Sequence, residues 1–129
     1  MPIDTYWDDA EQTIIRMDFS LPVSWEMFDA AIDRVVQLAD SVKHRVDLLG
    51  NAGTVPMPPG SPIPHMQRAF KMIPVNIGII VSPTLNPFAR AILSTVARMY
   101  VGNRFQPAQS LDHAYRLIAA SRAKSSISG

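Results

Sequence analysis

The chain has no cysteine among its 129 residues. That removes disulfides, a thiolate nucleophile and any cysteine-ligated metal centre. Acids are also scarce beyond one point. From Leu48 onward Asp112 is the sole acidic side chain. Asp47, the one acid inside an apolar strand-like run, lacks the acids and lysine that a receiver-type phospho-acceptor needs around it. No segment approaches the roughly 20 consecutive apolar residues of a membrane span. The opening "MPIDTYWDDAEQ" lacks the basic-then-apolar order of a signal peptide. A cytoplasmic protein is therefore the expectation. Also missing are G-x-G-x-x-G, the Walker lysine and the G-x-S-x-G elbow. His44, His65 and His113 fall near three different elements with no i, i+4 partner, so no metal site is expected. No constellation of nucleophile, base and orienting group is visible, which argues against an enzyme. No cofactor is implied.

What is present in excess is proline. Five of the eleven prolines lie in "GNAGTVPMPPGSPIPH", residues 50–65. They remove backbone N–H groups that would cradle a phosphate, and they hold the segment extended. A fixed docking surface suits such a loop better than a phosphate nest does.

Charge is divided along the chain. Residues 1–47 carry a net charge of −6 and residues 48–129 a net charge of +7. A division of this kind suggests an anionic partner for the second half, or self-association between unlike faces, so a homodimer is one expectation. Arg68, Lys71, Arg90 and Arg98 fall on the polar sides of two successive helical segments, where they would form a basic patch if the helices are neighbours. With no interleaved aromatics and no recognisable nucleic-acid-binding motif, a protein or anionic surface ranks above nucleic acid as its partner.

The periodicities alternate between two kinds. "TIIRMDF" puts Ile15, Met17 and Phe19 on one face and Ile14, Arg16 and Asp18 on the other, a half-buried strand. "DTYWDD" before it reads as an antiparallel partner. Ser24 caps a helix running to about Val42, with Trp25, Phe28, Ile32, Val35 and Ala39 on its apolar face. "RVDLLG" is a short strand. Ile63, Met66, Phe70 and Ile73 mark a second helix, stopped by Pro74. "VNIGIIVS" reads as a strand buried on both faces. Asn86-Pro87 opens a third helix with Phe88, Ile92, Val96 and Met99 buried. "NRFQP" is a short edge strand, and Ser110 caps a last helix carrying Leu111, Ala114, Leu117 and Ile118. The expectation is one α/β domain over residues 1–122 with a disordered tail at 123–129. Its sheet would be mixed and mostly parallel, with four or five strands, an antiparallel N-terminal edge and four helices.

In open α/β sheets ligands bind beyond the carboxyl ends of the strands. Two segments qualify: the proline loop and "SPTLNP", residues 82–87. The candidate binding residues are Asn51, Ser61, His65, Asn86 and Arg90, with hydroxyls from Ser82 and Thr84. The simpler reading is favoured, since capping accounts fully for Asn86 and Ser61 and Arg90 reads as a solvated surface base.

The order of elements, together with "VSWEMFDAAIDRVVQLADSVKHRVDLL" and "VNIGIIVSPTLNPFARAILSTVARMY", resembles the STAS, or anti-sigma-factor-antagonist-like, domains, and more closely their divergent bacterial relatives. The likeness covers about residues 5–120. It implies a small mixed-sheet module for protein–protein regulation, sometimes binding a nucleotide or lipid-like ligand. In signalling members the loop after the third strand carries an Asp-Ser-(Ser/Thr)-Gly type phosphorylation motif. Here that region reads "DLLGNAGTVPMPPGSPIPH", and only Ser61, between Gly60 and Pro62, takes an analogous place. Two readings follow. The first is a non-enzymatic regulatory or interaction domain without the phospho-serine switch. The second is a small-ligand binder, for a lipid-like or anionic molecule, with a pocket near Ser61 and Asn86.

Overall fold

The computed structural model describes residues 3–128, with the backbone alone for residues 125–128. Ten elements follow in order: β1 (Ile3–Trp7), β2 (Ile14–Phe19), α1 (Trp25–Asp40), β3 (Val46–Asn51), α2 (Pro62–Met72), β4 (Ile77–Pro83), α3 (Pro87–Tyr100), a 3-10 turn (Gly102–Arg104), β5 (Phe105–Ala108) and α4 (Leu111–Ser128). The five strands form one sheet in the order β1-β2-β3-β4-β5. β1 runs antiparallel to β2, and every later pairing is parallel. The mixed, mostly parallel α/β fold with an antiparallel N-terminal edge and four helices is thus as the periodicities indicate.

Because strands succeed one another in a single direction, each right-handed crossover returns on the same side of the sheet. Helices α1, α2 and α3 accordingly share one face, and α4 covers β3, β4 and β5 on the other. No reversal of strand order exists to open a crevice of the doubly wound kind. The principal core lies under the first three helices, around Ile15, Val35, Leu48 and Ile80. A smaller one, with Leu49, Val81, Ala114 and Ile118, lies under α4. β2 is therefore covered more fully than a half-buried strand, since Ile14 packs into this second core.

Helix starts obey local chemistry. Ser24 accepts from the Met27 N–H at 3.2 Å, and Asn86 accepts from the N–H groups of Phe88 and Ala89 at 3.0 and 3.1 Å. Ser61 occupies the corresponding position before α2, yet its hydroxyl makes no capping bond. Pro62 at the first helical position supplies the start signal there.

Side-chain orientation differs from the reading in two helices. Phe88 and Met99, expected inside, are 66% and 71% exposed, and Ile63 is also exposed. On α3 the buried positions are Ala89, Val96 and Ala97. Both stripes of α3 are apolar, and the one with alanines lets the helix approach the sheet closely. α4 also continues as helix to Ser128, through a stretch read as part of a disordered tail. Gly129 lies outside the described residues.

Candidate functional site

The parallel strands end in small or polar residues: Gly50 on β3, Ser82 on β4 and Thr84 just beyond it. Small residues leave space. At this edge, between the sheet and α1–α3, lies an apolar cavity of about 130 Å³. Met17 and Leu48 form its floor, Trp25 and Phe28 of α1 one wall, Met66 and Phe70 of α2 another. Ala89 and Leu93 of α3 close the third side, and Val55, Pro56, Met57 and Pro58 of the proline loop form the outer wall. No charged side chain lines it.

The loop is tied down at its beginning. Gly53 donates to the Pro83 carbonyl, and Leu85 donates to the Gly53 carbonyl, both at 2.8 Å. Residues 56–60, by contrast, make no backbone–backbone hydrogen bond among the described residues. Packing alone holds them. Gly60, at a φ of +108° that favours glycine, brings its backbone against the indole of Trp25; a Cβ there would sit 3.5 Å from Cδ1.

Trp25 organises the wall beneath the loop. His65 stacks on its ring with centroids 5.0 Å apart and planes 6° apart, while Phe28 meets it edge-on at 5.4 Å. His65 Nδ1 pairs with Asp29 Oδ2 at 3.0 Å, which fixes the imidazole against the indole. Trp25 Nε1 is buried without a hydrogen-bond partner. The cavity's hydroxyls are paired inward. Ser82 donates to the Gly50 carbonyl at 3.0 Å, so in its 2.7 Å contact with Thr84 the proton comes from Thr84.

The residues singled out from sequence do not converge on one point. His65 backs the cavity wall. Asn86 acts as a cap, as its residue type allows. Ser61 is exposed at the end of the loop. Asn51 donates to Asp18 Oδ1 at 3.0 Å, away from the cavity. Arg90, read as solvated or as an anion ligand, turns inward and donates to the carbonyls of Thr84 and Ala108 at 3.1 and 3.4 Å. The basic cluster is likewise dispersed: Arg68 pairs with Asp33 at 2.8 Å, and Lys71 lies 5.6 Å above the Tyr100 ring. Arg98 remains on the exposed side of α3. Ser82 and Thr84 stand at the cavity, as the strand-end argument expects.

Sequence reasoning passed over two groupings. Asp47 is fully buried and accepts from Arg122 Nε at 2.7 Å, Arg45 Nε at 3.1 Å and the Ile79 N–H at 2.9 Å. Arg122 also donates to the Thr13 carbonyl at 2.8 Å, and Arg45 to Ser121 at 2.8 Å, so this ionic centre fastens α4 to the sheet. The signal was an acid inside an apolar run, which calls for a cationic partner from elsewhere in the chain.

The second grouping lies on the same side of the sheet. Arg16 bonds Asp18 at 2.8 Å and the Tyr115 hydroxyl at 3.0 Å; Tyr115 in turn donates to Asp8 at 2.6 Å, and Tyr6 donates to Asp18. That last bond, with burial and the Asp18 charge, pushes the Tyr6 hydroxyl up to about 12. Burial would raise Asp18, but hydrogen bonds from Tyr6, Asn51 and Arg16 outweigh it and hold the carboxyl below its usual range.

Among the described residues no group of three or more His, Asp or Glu could hold a metal ion, and no helix is long and apolar enough to cross a membrane. Comparison with protein-family models, with curated proteins and with solved structures finds no match to this chain.

Proposed function

We propose that this chain is a non-enzymatic binding domain of STAS-like kind whose ligand is a small neutral molecule with an apolar body. The single observation that carries this reading is the apolar cavity of about 130 Å³ beneath the proline loop. An apolar cavity of roughly 150 Å³ admits a benzene-sized guest. The space therefore suits one ring or a short branched chain, and it is too small to enclose a long acyl chain. The lining also narrows the chemistry. An anionic ligand would enter a site with no charged side chain to meet it, and an unpaired buried charge is strongly disfavoured. Of the two kinds of ligand considered from sequence, the apolar one is favoured.

Energetics point the same way. The pocket is partly open to solvent, so its apolar lining is wetted when empty. A ligand that covers that lining gains about 25 cal/mol per Å² of apolar surface removed from water. The loop supplies a route in, since residues 56–60 are held by packing without backbone ties. Regulation in this reading consists of ligand occupancy changing how the loop and the rim around it are presented. Ile63, Leu85 and Phe88 are exposed at the starts of α2 and α3 on either side of the loop.

The test uses toluene as probe, followed through the methyl resonances of Leu48, Ile80 and Leu93 and through thermal unfolding. Saturable shifts confined to the cavity and a raised Tm are expected. In Ala69→Leu, which places extra carbon in the cavity, both responses disappear. Absence of any saturable shift at the solubility limit of toluene sinks the proposal.

A further inference from the structure

The two ends of the sheet differ in charge. Strands β2 to β5 are parallel and each is followed by a helix, so every helix starts at the carboxyl end of the sheet. At that end the chain passes through residues 19–25, 48–64, 81–89 and 105–111. None of these four stretches contains a charged side chain. At the opposite end Asp9, Glu11, Lys43, Arg45 and Arg104 fall in the connections. Proline follows the same division. Nine of the eleven prolines lie at the carboxyl end; Pro74 is at the other, and Pro2 is outside the described residues.

Apolar side chains are left outside at the uncharged end. Leu21, Ile63, Leu85 and Phe88 are all exposed, and they come from three separate strand-to-helix passages. Three of them adjoin the cavity lining in sequence: Leu21 lies two residues before Val23, Leu85 follows Thr84, and Phe88 precedes Ala89. The Leu85 N–H is also bonded to Gly53 of the proline loop. Exposed apolar groups gathered in this way mark an interaction surface. The charges nearest to it stand one turn back. Glu26 and Asp112 are exposed in the first turns of α1 and α4, while Arg90 turns inward to two carbonyls.

The chemistry of this surface says what covers it. Protein partners are read by hydrogen bonds, about one per 100–200 Å² of interface. Here the prolines withhold N–H donors, and Ser82 and Asn86 use their polar groups within the chain. Little is left to specify a folded partner. The same shortage lowers the cost of leaving water, because an N–H group that enters an apolar medium without an acceptor is penalised. An anionic surface is disfavoured, since the nearest exposed charges are the acids Glu26 and Asp112. We infer that this end docks on a neutral, zwitterionic lipid bilayer, with Leu21, Ile63, Leu85 and Phe88 entering the boundary between headgroups and acyl chains. The entry is shallow. Residues 56–60 make no backbone–backbone hydrogen bond among the described residues, so their carbonyls still need water or headgroups as partners. Docking lets an apolar guest pass between bilayer and cavity without crossing water, a role that rests on the apolar-ligand reading proposed above.

The test floats the full chain with phosphatidylcholine vesicles in a density gradient, with no ligand added. The chain should rise with the vesicles. It should do so equally when part of the lipid is phosphatidylglycerol, and when salt is raised from about 0.1 to about 1 M, where charge contacts are screened. Phe88→Glu and Leu21→Glu should each lower binding about tenfold. Val75→Glu, fully exposed at the other end, should leave it unchanged. Phe88→Trp reads the contact directly: beyond the response of Trp7 and Trp25 in the wild type, its emission should shift to the blue and be quenched by phosphatidylcholine brominated in the acyl chain. Failure to float with phosphatidylcholine overturns the inference. So does binding that requires phosphatidylglycerol and vanishes at high salt, or a dimer of the free chain that Phe88→Glu dissolves. The toluene titration, run without lipid, separates the two readings. A chain that takes toluene but does not float loses the docking alone; one that floats but takes no toluene keeps the docking and loses the ligand.

Discussion

The two faces of the sheet handle the interior in opposite ways. Under α1–α3 the edge beyond the strands is lined by apolar groups around a void, with Trp25 Nε1 unpartnered in its wall. Under α4 a fully buried carboxylate is met by two guanidinium groups and a backbone N–H. The first face is under-filled and the second is over-specified. An apolar void leaves room for a guest, whereas a satisfied ionic centre fixes one geometry and resists change. The contrast teaches where this molecule can respond and where it serves as the frame.

Breaking the frame should have the largest effect. Asp47→Ala removes the partner of both arginines and strands the Ile79 N–H, so unfolding stability should fall by about 3 kcal/mol, at the low end for a broken buried pair because Arg45 and Arg122 reach solvent. Urea denaturation measures it. Next comes Gly78→Ala. A Cβ at this position would lie 2.1 Å from Arg45 Nε and 2.7 Å from Asp47 Oδ1. The ionic centre must shift, at a cost of about 1–3 kcal/mol, and α4 amides should exchange faster with solvent.

A smaller effect is expected at the β1–β2 turn. Burial would raise the Asp9 carboxyl, but bonds from the Thr13 hydroxyl and from the Thr13 and Ile14 N–H groups outweigh it, so its folded pKa lies below the usual carboxylate range. The unfolded state therefore binds the proton more readily. The stabilisation is complete above the unfolded value, about 3.9, and is lost as pH falls through the lower folded value. Asp9→Asn should flatten the acid side of the stability profile and cost about 1 kcal/mol at neutral pH. Smallest of all is Ala69→Leu on the under-filled face. Filling part of the void offsets the strain of the added carbon, so stability should change by less than about 1 kcal/mol in either direction. A loss of several kcal/mol would mean that the space is not there.

The frame was largely legible in the sequence, and the void was not. Period-2 and period-3.6 patterns, Ser24, Asn86-Pro87 and Pro74 mark the element boundaries through local chemistry. Which stripe of α3 turns inward was not decidable locally, because Phe88-Ile92-Met99 and Ala89-Leu93-Ala97 are both apolar; closeness to the sheet selects the alanines. Arg122 meets Asp47 across 75 positions, and no local pattern encodes that pairing. A cavity is harder still to read. It arises where Gly50, Ser82 and Ala89 from three elements leave volume unfilled together. Among the site candidates, Ser82 and Thr84 stand at the cavity and His65 stacks behind its wall, while Trp25 looked like an ordinary first-turn core residue.

The strict succession of strands in the sheet has a kinetic consequence. Every strand lies beside its neighbour in sequence, so each strand–helix unit can add to the one before it with a short loop to close. Topologies of this kind keep contact order low for a parallel sheet and fold comparatively fast. α4 departs from the pattern. Its Arg122 reaches back to Thr13 and Asp47, so its docking is the one step that must wait for both ends of the described chain. A growing chain can thus assemble from the N-terminus by accretion and be fastened last by α4, through its apolar face and its bonds to the first two-thirds of the sheet.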